Sequence, residues 1–98
     1  MSQGTIMSEF YCTQCGNRGI PVHRRKGKFR EAGHLKKLFC LYCGKEQNHV
    51  EIRPMIGEYT YEDFRIEFEN GNFTPEGQRK ETWRQCEARV REEKGSDK

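Results

Sequence analysis

The apolar residues of this chain follow two rhythms. In QNHVEIR, Val50 and Ile52 alternate with polar neighbours, the two-residue period of a half-buried strand. The stretches EFYC, GIPVHR and HLKKLFCLYC carry similar short runs, and residues 9–54 therefore read as two short antiparallel hairpins. Phe10, Ile20, Val22, Leu35, Leu38, Phe39 and Ile52 are their expected core. Residues 1–8 read as a flexible N-terminus.

From Pro54 the rhythm changes. In TYEDFRIEFENGN, Thr60 is placed to cap a helix with Asp63 three positions later, and Tyr61, Phe64 and Phe68 share one helical face. The alternation of Phe64, Ile66 and Phe68 also fits a strand; the capping signal favours the helix. Asn70-Gly71 ends the element either way. A second helix is predicted over residues 80–94, with Trp83, Cys86 and Val90 as a narrow stripe and Gly95 as its stop. Such a stripe buries little. Trp83 is expected on Phe64, Phe68 or Phe73, with a partner protein or a second copy of the chain as the other possible occupant. Residues 55–98 thus form an acidic, helical extension with a frayed end.

The chain has 98 residues and only 33% hydrophobic ones, too few apolar groups for an ample core at this length. MSQGTIMSEF has no apolar run of a secretory signal, and no stretch approaches the roughly 18 apolar residues of a membrane span. A cytoplasmic, reducing location is expected, where paired cysteines indicate metal or redox chemistry rather than disulfides. Cys12-x2-Cys15 and Cys40-x2-Cys43, separated by 24 residues, have the spacing of a four-thiolate metal site. Gly16 and Gly44 follow the second cysteine of each pair and can take the positive φ that turns backbone N–H groups toward sulfur. One Zn2+ per chain is the expected cofactor, in a structural role, because a closed tetrahedron of sulfurs leaves no position for substrate. A thioredoxin-like redox pair would need a βαβ setting that neither motif has. Iron held as in rubredoxin is the stronger rival, although Leu41 and Tyr42 replace the proline typical of that second turn. Cys86 has no mate at ligand spacing and is read as a free thiol.

With its four cysteines and two glycines, the segment 9–54 resembles the zinc ribbon superfamily, in which two zinc knuckles face each other between β-hairpins. That resemblance implies a small metal-stabilised α+β fold, a zinc ribbon of short antiparallel hairpins followed by the helical extension. More loosely, GHLKKLFCLYCG and NHVEIRP, in that order, are similar to segments of small zinc-ribbon proteins of bacteriophages and prophages. This implies a phage origin and a host cytoplasm.

Between the knuckles, residues 22–37 hold Arg24, Arg25, Lys26, Lys28, Arg30, Lys36 and Lys37 against Glu31 alone, seven cations and one anion for a net +6 in a chain of net +3. A basic loop on a rigid ribbon suits phosphates, which bind by counterion release; Phe29 is placed to stack on a base and His34 to donate to a phosphate. The favoured function is therefore non-catalytic nucleic-acid binding, RNA or DNA, through this loop. The alternative is an adaptor or inhibitor of a host protein machine, making contact through Glu62, Asp63 and Trp83. The bland reading is that the cations neutralise the thiolates. His23, His34 and His49 lack any accompanying nucleophile, carboxylate pair or phosphate loop, so no catalytic residue, small-molecule substrate or membrane contact is assigned.

Overall fold

The computed structural model describes residues 5–25, 33–54 and 57–95. Four strands, β1 (Thr5–Cys12), β2 (Val22–Arg25), β3 (Leu35–Cys40) and β4 (Lys45–Ile52), are followed by two helices, α1 (Tyr61–Glu69) and α2 (Trp83–Gly95). The strands form one antiparallel sheet in the order β2-β1-β4-β3. β1 is long enough to pair twice: its first half faces β2, with Ser8 opposite Val22, and its second half faces β4, with Cys12 opposite His49. β1 begins at Thr5, so residues 5–8, expected to belong to a flexible N-terminus, are part of the sheet; their ladder with β2 holds them.

Strand alternation divides the side chains between two faces. Tyr11, Leu35, Val50 and Ile52 face the helices, where Val50, Ile52, Tyr59 and Phe64 form the buried core and Tyr11, Leu35, Phe68, Phe73 and Trp83 pack around it. Phe10, Cys12, His49 and Glu51 alternate onto the opposite face and are also buried. The expected core is corrected at three positions: Ile20 is 70% exposed, Phe39 58% and Val22 39%. The helices cover the face carrying Tyr11 and Val50, and these three residues lie beyond that cover.

Residues 61–69 are helical. Thr60 accepts from the Asp63 amide, and the Asp63 carboxylate accepts from the Thr60 amide at 2.8 Å, a reciprocal cap that decides against the strand. This places Phe64 at the centre of an aromatic group, its ring centroid 5.4 Å from Tyr11, 5.5 Å from Phe68 and 5.9 Å from Phe73. α2 starts at Trp83, three residues later than predicted, because Thr82 and Gln85 form its cap. Trp83 meets Tyr59 edge-on at 5.2 Å, with its flank in the core, rather than stacking on one of the three phenylalanines expected.

A buried ion pair joins the extension to the ribbon. Glu67 is fully buried and receives two bonds from Arg79, Nε at 2.6 Å and Nη2 at 2.9 Å, one from the Tyr59 hydroxyl at 2.5 Å and one from Asn72 at 2.6 Å. Arg79 also donates to the Gly33 carbonyl at 2.6 Å, where the chain enters β3. Burial and the Glu67 carboxylate together push the Tyr59 hydroxyl far above its usual range.

Glu67→Gln should therefore destabilise the extension by about 3–5 kcal/mol, since it leaves the Arg79 cation buried without its counter-charge. Chemical denaturation followed by helical circular dichroism should show the loss while metal content stays unchanged. Loss of the metal in parallel would mean that ribbon and extension unfold as one unit.

Candidate metal centre

The sheet places Cys12 and Cys40 at strand ends and Cys15 and Cys43 in the turns that follow. Cys12 closes β1 and Cys40 closes β3, and each chain then turns through a glycine with φ of +77°, Gly16 or Gly44. The Gly16 amide donates to the Cys12 carbonyl at 2.9 Å and the Gly44 amide to the Cys40 carbonyl at 2.8 Å. Inside each turn an amide approaches sulfur: Gln14 N–H to Cys12 Sγ and Cys43 N–H to Cys40 Sγ, both at 3.4 Å. The knuckles expected from Cys-x-x-Cys-Gly are thus in place.

The sulfurs of Cys12, Cys15, Cys40 and Cys43 all lie within 4.8 Å of one another, and Cys86 is not among them. Cys12 Sγ is 3.8 Å from Cys43 Sγ and Cys15 Sγ is 3.6 Å from Cys40 Sγ. A tetrahedral ion with metal–sulfur bonds of about 2.3 Å requires sulfurs about 3.8 Å apart, so the cluster has the size of a four-thiolate metal site. Cys86 is fully buried on α2, its thiol pushed above the usual range by burial.

Without metal the thiols of Cys12, Cys15 and Cys43 are unequal. Burial pushes Cys12 up to about 12. At Cys15 burial acts in the same direction, but hydrogen bonds from the backbone and side chain of Asn17 and from Cys40 outweigh it and bring the thiol down to about 7. Cys43 is raised, by desolvation and by its bonds with Cys40 and Cys15. A metal must therefore displace protons to bind.

The two knuckles are braced differently. A Cβ on Gly16 would lie 3.1 Å from Phe68 Cζ of α1, whereas a Cβ on Gly44 would meet nothing within 4 Å. The second knuckle instead stands clear of the helices, with Leu41 70% and Tyr42 68% exposed. Together with Ile20 and Phe39 these line a groove of about 210 Å³ beside the thiolates, with Arg18 at its rim. Phe39 and Ile20, expected in the core, lie in this groove instead, and the position of Leu41 and Tyr42 within a knuckle tip is the signal in the sequence for their exposure.

Of the residues assigned to nucleic acid, Lys26, Lys28, Phe29 and Arg30 lie outside the described residues. Arg24 and Arg25 occupy β2 opposite Ile6 and Thr5. Lys36 and Lys37 are exposed on β3, and His34 is mostly buried, paired through Nε2 with Glu51, whose other oxygen accepts from Ser8. His49 is buried, its basicity lowered by desolvation, and its Nδ1 bonds the Gln47 carbonyl at 2.9 Å. Among the residues of the adaptor alternative, Asp63 caps α1, Trp83 packs on Tyr59 and Glu62 is exposed.

Serine at Cys12, Cys15, Cys40 or Cys43 should abolish tight metal binding, and serine at Cys86 should leave metal content unchanged by elemental analysis. Metal addition at pH 7 should release at least the protons of Cys12 and Cys43, measurable with an indicator dye, and affinity should fall as pH falls because protons compete for the sulfurs. Alanine should be costlier at Gly16 than at Gly44. Both substitutions strain a positive φ by about 1–2 kcal/mol, but only the first also presses on Phe68, and thermal melts of the metal-loaded variants would compare them.

No family model matches the chain, and no solved structure matches it. A curated relative does: the large ribosomal subunit protein bL33 of Solibacter usitatus (strain Ellin6076) is 41% identical over 44 residues, which are 45% of this chain and 86% of that protein. The relative is a ribosomal protein rather than one of the phage ribbons that the order of segments suggested. With most of that relative's length spanned at this identity, the chain belongs to the bL33 family of large ribosomal subunit proteins.

Proposed function

We propose that the chain is a zinc-stabilised, non-catalytic RNA-binding protein whose basic segment 22–37 contacts ribosomal RNA. The observation that carries this reading is that the relative is a protein of the large ribosomal subunit and that this chain spans 86% of its length. The charge pattern agrees: a segment of net +6 runs from β2 to β3, and Lys36 and Lys37 stand exposed on the outer strand of the sheet.

Zinc suits the donor set. It is redox-inert, favours tetrahedral sulfur ligation and needs no open coordination position in a structural role. Bound there, it ties the end of β1 to the end of β3 and so fixes both ends of the basic segment's support. The cations act by neutralising phosphates and releasing counterions, an attraction that carries little base preference of its own. The adaptor alternative has less support, because Asp63 and Trp83 are already engaged within the fold.

RNA affinity should fall steeply with salt, with a slope of log K against log salt of about −0.7 per phosphate on single strands, or about −3 for four phosphates. Replacing Arg24, Arg25, Lys26 and Lys28 by glutamine should flatten that slope and abolish sedimentation with large ribosomal subunits, leaving metal content intact. An unaltered slope in the quadruple variant would remove the basic segment from the interface.

A further inference from the structure

Where β3 begins, the extension and the ribbon enclose a cleft of about 500 Å³, lined by His34, Leu35, Gln78, Arg79, Thr82, Trp83 and Arg84. Its volume falls within the range of about 300–1,000 Å³ usual for small-ligand sites. Its lining is of three kinds. Trp83 and Leu35 provide flat or apolar surface. Gln78, Thr82 and His34 provide uncharged or titratable polar groups, and Arg79 and Arg84 provide guanidinium groups. Among the described residues no carboxylate lines it.

The charges are not equally available. Arg79 is matched by Glu67, and His34 is paired with Glu51. Arg84 lies 4.4 Å from the centroid of the Trp83 ring, and among the described residues no carboxylate pairs with it. A guanidinium stacked on an indole, with its charge uncompensated, suits a ligand that has both a flat aromatic face and an anion. A nucleotide has both. The cleft also adjoins the basic segment: His34 and Leu35 form one wall, and Lys37, two positions along β3, lies on the same face of the strand as Leu35.

We infer that this cleft holds one unpaired RNA nucleotide, its base stacked against the Arg84–Trp83 pair and its phosphate neutralised by Arg84 and Lys37. The inference rests on the RNA-binding reading above and adds to it a preference for single strands. A base inside a duplex has both faces covered by its neighbours, whereas an unpaired one offers a free face for stacking.

Trp83 is the only tryptophan in the chain, so its fluorescence reports on the cleft directly. The zinc-loaded full chain would be titrated with a dye-labelled ten-nucleotide single-stranded RNA and with a blunt-ended ten-base-pair RNA duplex, following dye anisotropy and Trp83 emission together. The single strand should raise anisotropy and quench Trp83 saturably, and the duplex should raise anisotropy without quenching. Arg84→Gln, with Gln78→Ala as a second variant should the first fail to fold, should weaken the single strand at least about 5-fold and leave the duplex unchanged. Salt-sensitive binding of both RNAs with Trp83 emission and variant affinities unaltered would overturn the cleft while leaving RNA binding in place. Failure of both RNAs to bind would overturn the cleft and the RNA-binding reading together.

Discussion

Four sulfurs within 4.8 Å of one another are the constraint on which the ribbon depends. Unligated thiolates at that separation would repel, and protonated thiols would offer only weak hydrogen bonds, so a metal is what makes the arrangement favourable. The ends of β1 and β3, which are not neighbours in the sheet, are joined there. The strand between them, β4, is paired on both sides, and the apolar residues it contributes to the core, Val50 and Ile52, are positioned from both edges.

A second constraint acts on the other half of the chain. Glu67 is a fully buried carboxylate reached by Arg79, Tyr59 and Asn72, and its pairing with Arg79 links α1 to Gly33 at the foot of β3. Such a pair adds less net stability than apolar side chains of the same volume would, but its geometry is exacting. The guanidinium must lie in one plane with the carboxylate and under the carbonyl of Gly33. The pair therefore sets where the loop before α2 rests, and with it where Trp83 and Arg84 stand.

Local signals were legible in the sequence, whereas those depending on assembly were not. Two cysteine pairs followed by glycine located the metal centre, because ligation and turn are both short-range matters. Thr60 and Asp63 announced α1 for the same reason. Alternation around Val50 and Ile52 located β4, yet alternation states only that two faces differ. Which face acquires a covering layer, and how far that layer extends, depends on where the helices pack, so Ile20, Val22 and Phe39 are expected inside and are exposed. Glu67 and Arg79 stand twelve positions apart across an irregular segment, and no periodicity joins them. Tyr59, the residue that Trp83 meets, precedes α1 and belongs to none of the apolar rhythms of the sequence.

Lys36 and Lys37 have a further consequence. They lie on β3, the outermost strand at one side of the described sheet, where unpaired backbone groups invite another strand to add. Two adjacent ammonium groups make that addition unfavourable for a second copy, which would bring the same charges to the seam. The charges proposed to attract RNA would thus also keep sister chains apart. A short polyanion that neutralises the lysines without covering the strand removes this protection, and edge-to-edge association then becomes a hazard of partial occupancy.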